Sequence, residues 1–309
     1  MLQHPGNYIG DVWFFVKEDT AHAYYLTAPE SGRRRDVWSI AHATSRDLIN
    51  WQRHGIALHP GVAGEWDESA LATGCIFEAD GRFYMGYTGR NRQETGLAVS
   101  DDLFVWQKCP ANPVTRLDAR FYEPVGSGLR KTRHWRDPFI VRHDACWYQL
   151  TCASRVTGAP GARGVVGLAK SSDLATWEVI GPLDTEPFCQ EMECPQLYFR
   201  NGKYHLVFSA LADQILPVKR HQIGEENVWW TTYTMISDNF FGPYRLSAKP
   251  RIIPPAFPAQ PYACQIATLG GQDYILGTVW GKDADPDFIT DPLPVGFTGS
   301  GIIALLFSP

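Results

Sequence analysis

The feature that most constrains this chain is a repeat. Ser45-Arg46-Asp47-Leu48-Ile49-Asn50-Trp51 reads S-x-D-L-x-x-W, and Ser100–Trp106 and Ser171–Trp177 read the same way. A looser copy is Ser237-Asp238-Asn239-Phe240-Phe241-Gly242-Pro243-Tyr244. In each copy the Ser/Asp pair is able to close a turn through side-chain-to-backbone hydrogen bonds. The Leu and Trp then pack under the next strand. Between these turns lie five hairpin-like segments: Asp11–Thr27, Leu71–Thr88, Asp137–Cys152, Glu193–Ser209 and Ala263–Trp280. Their turns are expected near Glu18-Asp19, at Asp80-Gly81, near His143-Asp144, at Asn201-Gly202 and at Gly270-Gly271. Asn-Gly or Asp-Gly between two β-type runs favours a type I′ turn, which needs φ > 0 at both central residues.

Each unit therefore reads strand, turn, strand, connection, strand, Ser-Asp turn, strand. Helical periodicity is nearly absent. A four-stranded antiparallel sheet cannot bury both its faces alone, and radial packing of several copies does so while leaving only short edges. Five hairpins predict an all-β, five-bladed β-propeller, in preference to a β-sandwich or jelly roll. No composition break marks a boundary, so residues 1–309 are expected to form one catalytic domain. The run Gly301–Phe307 is expected to finish blade five or to cross to blade one.

Composition narrows the partners. With 309 residues and 44% hydrophobic content, a sizeable core is affordable. A formal charge of −5 gives no basic field for nucleic acid. No run of about eighteen apolar residues predicts a membrane span. Met1–Gly10 lacks the basic and apolar regions of a signal peptide, and the seven cysteines are odd in number without zinc-ribbon spacing. A cytoplasmic chain with free thiols, no metal and no cofactor is expected, as a monomer or homodimer. The 11 Trp residues suit a β-rich or carbohydrate-binding protein.

In a propeller the first strand of each blade lines the central channel. Asp11, Asp137 and Glu193 each stand near the start of such a strand, about seven residues before the turn, and are expected at one blade phase. Three blades would then bring three carboxyls to one mouth, as acid/base chemistry at a sugar ring requires. Glu191 shares a strand face with Glu193, and spacing alone does not choose between them. Trp13, Trp66 and Trp135 flank these acids and are candidates to stack on a sugar or to pack. Arg130, Lys131, Arg133, His134 and Arg136 form a basic cluster approaching the same place. Arg33-Arg34-Arg35 reads as a solvated loop.

Several motifs resemble glycoside hydrolase family 32, the fructofuranosidases. Trp38–Trp51 is similar to its W-x-x-A-x-S-x-D-L-x-x-W segment, Trp135-Arg136-Asp137-Pro138 to its F-R-D-P, and Met192-Glu193-Cys194-Pro195 to its E-C-P. Asp67-Glu68-Ser69-Ala70 stands where the family has S-G-S-A, and Gly10-Asp11-Val12-Trp13 where it has N-D-P-N-G. The resemblance covers the catalytic propeller and finds no counterpart of the family's C-terminal β-sandwich.

It implies a retaining glycosidase, or fructosyl-transferring enzyme, acting on β-D-fructofuranosides by double displacement. Asp11 would be the nucleophile, Glu193 rather than Glu191 the acid/base, and Asp137 the transition-state stabiliser. Arg136, Ser69, Trp66 and Trp13 would contact substrate. The carboxyls of Asp11 and Glu193 would lie about 5–5.5 Å apart, and burial or a neighbouring carboxylate would raise the pKa of Glu193. A related five-bladed enzyme acting on arabinofuranosides or xylosides, and a non-catalytic carbohydrate-binding propeller, are the competing readings.

Overall fold

A computed structural model describes residues 1–31, 37–128, 130–281 and 286–305. Arg33-Arg34-Arg35 and the last residues of the Gly301–Phe307 run lie outside the described residues. Five antiparallel sheets follow one another along the chain. Blade one holds β1 (Asn7–Lys17), β2 (Thr20–Pro29), β3 (Ser39–Ser45) and β4 (Gln52–Leu58). Blade two holds β5 (Leu71–Ala79), β6 (Arg82–Gly89), β7 (Glu94–Ser100) and β8 (Gln107–Lys108). Blade three holds β9 (Trp135–His143), β10 (Cys146–Ser154), β11 (Gly164–Ser171) and β12 (Glu178–Ile180). Blade four holds β13 (Glu193–Arg200), β14 (Lys203–Ala210), β15 (Thr231–Ser237) and β16 (Arg245–Arg251), with a short helix α1 (Pro217–Ile223) between its middle strands. Blade five holds β17 (Tyr262–Leu269), β18 (Gln272–Val279), β19 (Phe288–Ile289), β20 (Leu293–Thr298) and β21 (Gly301–Ala304).

The chain is thus a five-bladed β-propeller. Its first strands touch in a ring: β1 meets β5 and β17, β9 meets β5 and β13, and β13 meets β17. Apolar side chains fill the five interfaces between blades. Blades one and two share Trp13, Tyr24 and Trp38 with Phe83, Met85 and Trp106. Blades three and four share Leu150, Val166 and Leu168 with Leu206, Phe208 and Tyr233. Smaller clusters seal blades two and three, four and five, and five and one. The ring closes where Leu2 exchanges backbone hydrogen bonds with Ile289 at 3.1 and 2.9 Å, while β21 finishes blade five beside β20.

The predicted turns are present and have two residues each. Lys17 pairs with Thr20, Ala79 with Arg82, His143 with Cys146, Arg200 with Lys203 and Leu269 with Gln272. Their first residues have positive φ: Glu18 54°, Asp80 51°, Asp144 51°, Asn201 52° and Gly270 58°. That twist matches the right-handed twist of the flanking strands. The third turn falls at Asp144-Ala145, one residue beyond the expected place. The Ser-Asp turns form as the repeat predicts. Ser45, Ser100 and Ser171 donate to Asp47, Asp102 and Asp173 at 2.9, 3.0 and 3.1 Å. Each Asp Oδ1 also accepts two backbone N–H groups.

Candidate active site

At the end opposite the turns, every first strand carries a β-bulge. In β1 the register jumps between Ile9 and Val12, in β5 between Ala72 and Cys75, in β13 between Glu193 and Gln196, and in β17 between Tyr262 and Gln265. In β9 it jumps opposite Leu150 and Cys152, between Arg136 and Phe139. A bulge leaves residues outside the ladder and re-aims their side chains. It also explains the motifs. Pro138 and Pro195 occupy bulge places, where no ladder N–H is needed. Asp137 and Cys194, just before them, have φ of 59° and 49°, a sparsely populated region that concentrates at functional sites.

The bulges correct the expected phase. Glu193 aligns with Arg136 and Tyr262 as the last paired residue before the bulge. Asp137 aligns with Cys194 and Thr73, and Asp11 stands one place further on. Three carboxyls therefore converge from three successive places in the repeat.

They are tied to one another through their neighbours. Thr73 donates its hydroxyl to Asp11 Oδ2. The Cys194 thiol lies 3.7 Å from that oxygen and 3.8 Å from Asp137 Oδ2, and the Cys194 backbone N–H donates to Asp137 Oδ2 at 3.0 Å. Arg136 Nη2 reaches Glu193 Oε1 at 2.6 Å and Glu191 Oε2 at 3.0 Å. Its Nε lies 3.6 Å from Asp137 Oδ2. Arg130 Nη1 reaches the same two oxygens of Glu193 and Glu191 at 2.9 and 3.0 Å. Tyr262 donates its hydroxyl to Glu193 Oε2. Asp137, Glu191 and Glu193 are buried, while Asp11 keeps part of its surface open.

Electrostatics separates the acids. Burial raises Asp11 and the charge of Glu193 adds to that, against the hydroxyl of Thr73 and the thiol of Cys194. Burial, opposed by Arg136 and reinforced by Asp11 and Glu193, pushes Asp137 up to about 7. Glu193 goes the other way from the expected rise. Burial would raise it, but Arg136, Arg130, the Tyr262 hydroxyl and Glu191 outweigh burial and hold it below the usual carboxylate range. Glu191 is raised, by burial first and by the charge of Glu193 against the two guanidiniums.

The remaining candidates divide. Trp13 is 1% exposed, stacks on Tyr24 and packs between blades one and two, so packing replaces the expected sugar contact. Trp135 is equally buried and donates its Nε1–H to Thr115 at 2.8 Å. Trp66 is partly exposed and lies against Tyr87 over Gly89 and Gly96, at the bulge end of blade two. Ser69 is exposed, with φ 71°, just before β5. The basic cluster splits as well: Arg130, His134 and Arg136 turn toward the acids, and Lys131 and Arg133 are exposed.

Tyr262 and Thr73 were not singled out as site residues from sequence, and Arg130 was read only as one member of the basic cluster. Tyr262 was findable, since it stands eight residues before its turn as Glu193 and Arg136 do. Arg130 lies in a connection between blades, where the repeat gives no register. Among the described residues, no group of three or more His, Cys, Asp or Glu is arranged to hold a metal ion, and no helix is long and apolar enough to cross a membrane.

Charged side chains gathered at one mouth of a five-bladed propeller suit chemistry on a small polar ring. The glycosyl hydrolases family 32 N-terminal domain model matches residues 3–242. The chain belongs to glycosyl hydrolase family 32. It is 30% identical over 203 residues to a sucrose-6-phosphate hydrolase of Bacillus subtilis (strain 168), a match covering 61% of this chain and 38% of that protein. It is 29% identical over 195 residues to a raffinose invertase of Escherichia coli, again 61% and 38%. The match thus spans well under half the length of these relatives. Among solved structures, a sucrose-6-phosphate hydrolase from Lactobacillus gasseri superposes with a TM-score of 0.72 at 19% identity, covering 96% of this chain and 61% of that one. A Bacillus subtilis levansucrase superposes with a TM-score of 0.72 at 14% identity, covering 98% and 87%. At these identities the superpositions show the shared fold.

Proposed function

We propose that this chain cleaves or transfers β-D-fructofuranosyl groups by double displacement with retention of configuration. Asp11 is the nucleophile: it is the most open of the acids and is aligned by the Thr73 hydroxyl. Attack by its carboxylate on the anomeric carbon gives a covalent glycosyl-enzyme, while Glu193 protonates the departing oxygen. Water, or an acceptor hydroxyl in transfer, then displaces Asp11, with Glu193 taking the proton. Asp137 stabilises the oxocarbenium-like centre and holds ring hydroxyls, and Trp66 and Ser69 contact the substrate from blade two. The observation that carries this reading is the convergence of three acids from three blades: Arg136 holds Glu193 and lies against Asp137, and the Cys194 thiol lies between Asp137 and Asp11. The chain is read as one catalytic propeller domain.

Substrate class rests on the family and its relatives. Proteins named sucrose-6-phosphate hydrolase and raffinose invertase match the chain, so sucrose, its 6-phosphate and raffinose head the panel to be tried, with nitrophenyl arabinofuranosides and xylosides as counter-substrates. Asp11→Ala and Glu193→Ala are expected to lose turnover on the fructosides by about a thousandfold or more with the circular dichroism spectrum unchanged. Full turnover in either variant sinks the assignment. Turnover of the pentosides alone moves it to the competing substrate class.

A further inference from the structure

The contacts around Glu191 ask for a proton. Arg136 Nη1 lies 3.0 Å from His134 Nδ1. A guanidinium only donates, so that ring nitrogen is the acceptor. The other ring nitrogen then carries the hydrogen, which matches the bond between His134 and the backbone of Arg130. Glu191 Oε1 lies 3.2 Å from the same Nδ1. Two bare acceptors at that distance repel. A charged imidazolium would instead set an N–H against the Arg136 N–H, and burial and the Arg136 charge disfavour it. Oε1 is also a buried oxygen with no other hydrogen-bond partner. A proton on Oε1, donated to Nδ1, satisfies every contact at once. Glu191 Oε2 meanwhile accepts from Arg130 and Arg136, the two guanidiniums that also bind Glu193 Oε1.

We propose that Glu191 holds, in the resting molecule, the proton that Glu193 delivers to the leaving group. The inference rests on the reading of Glu193 as the acid/base. At rest Glu193 is a carboxylate between two guanidiniums and the Tyr262 hydroxyl, poorly placed to act as an acid by itself. A half-turn of the Glu191 carboxyl carries its O–H from His134 to the neighbouring Glu193. The O–H bond of Glu191 then breaks as one forms on Glu193, and the charge of the pair stays at one negative. Glu193 then passes the proton to the glycosidic oxygen as the bond to the anomeric carbon breaks. Two carboxylates are left facing two guanidiniums, a matched set of charges. In the second half-reaction the water proton returns by the same path. Glu191 is thus a positioning residue acting through Glu193. The groups facing the pair are Arg130, His134, Arg136, Cys152, Cys189, Asp11, Asp137 and Tyr262.

Glu191→Gln tests this in the full chain. The amide reproduces the shape, its N–H₂ donating to His134 and its carbonyl accepting from both arginines, but it stores no transferable proton. Turnover of the best natural fructoside, whose leaving group needs a proton, is expected to fall about a hundredfold at pH 7. Turnover of nitrophenyl β-D-fructofuranoside, whose leaving group does not, is expected to change less than about threefold. The basic limb of the kcat/KM profile is expected to move to lower pH, and Glu191→Asp to recover part of the loss. Equal losses on both substrates with an unmoved pH profile overturn the proposal, as does unchanged turnover on both. Glu193→Gln, run alongside, separates the two readings: if it keeps full turnover on the natural fructoside, the acid/base assignment itself has failed. If Glu191→Gln melts well below the native chain, both substrates are assayed on one sample below its melting temperature, where the ratio of the two losses does not depend on the fraction folded, and that ratio decides.

Discussion

The two ends of this propeller are built from one repeat and have opposite characters. At the turn end the repeat is kept nearly to the residue. Five two-residue turns share a positive φ at their first position, and three Ser-Asp turns share the same hydrogen bonds. Charges there are exposed, and backbone N–H groups hold Asp102 and Asp173 below the ordinary Asp range. At the bulge end the backbone repeat persists, with five register jumps, but each blade places a different residue in it: Asp11, Thr73, Asp137, Cys194 and Ala263 fill or adjoin the unpaired places. Carboxyls there are buried and pushed apart in pKa. Local satisfaction of polar groups makes the turn end stable. The bulge end concentrates groups that would be more stable apart, the pattern expected where function overrides stability.

Asp137→Asn gives the largest break in that comparison. Turnover is expected to fall by about a thousandfold, while the melting temperature rises. The sign follows from linkage. Burial raises the folded pKa of Asp137 from 3.8 to about 7, so the folded state binds the proton more tightly than the unfolded chain. The penalty of burying the charge is absent below 3.8, grows as pH rises, and is full above about 7. The Asn variant should gain roughly 1–3 kcal/mol at pH 8 and less at pH 5. Thermal melts at the two pH values measure it. An equal gain at both, or a loss at pH 8, means that Asp137 is not a strained charge.

The contrast between the ends also decides what was legible in the sequence. The turn end was legible because its chemistry is local: Asn201-Gly202 and Ser45-Asp47 make their bonds within a few residues, so spacing alone predicts them. Radial packing followed from the repeat. The acids Asp11, Asp137 and Glu193 were legible as candidates, but their common phase was not, because a bulge adds a residue without leaving a compositional mark. Pro138 and Pro195 hinted at it, being unable to sit in a regular inner strand. Trp13 misled, since a Trp beside an acid reads alike whether it faces the channel or the blade interface. The direction of the Glu193 shift was missed because spacing does not show that Arg136 and Arg130 both close on one carboxyl, or that Tyr262 reaches it from blade five.

Gly74→Ala sharpens the comparison next. Gly74 lies in the bulge of β5, and a Cβ there would stand 2.1 Å from the backbone oxygen of Gly86. The β5–β6 pairing has to shift, at a cost of roughly 2–3 kcal/mol by the scale of overpacking. Thr73 shifts with it, so its hydroxyl is drawn away from Asp11, and kcat is expected to fall about tenfold. Urea unfolding and initial rates test both. Unchanged stability would mean that the bulge is soft.

Gly202→Ala makes the same chemical change at the other end and should do least. No atom lies within 4 Å of the added Cβ, so there is nothing to clash with. Only the backbone objects: Gly202 has φ 73°, which a residue with a side chain adopts at a cost of about 1 kcal/mol. Asn201 and the Arg200–Lys203 pair hold the turn closed, and Glu193 lies at the far end of β13, beyond its bulge. Stability is therefore expected to drop by about 1 kcal/mol with kcat and KM unchanged, measured in the same urea and rate assays. A loss of kcat in Gly202→Ala would show that the two ends of the inner strands are mechanically coupled, and that the repeat transmits strain from turn to site.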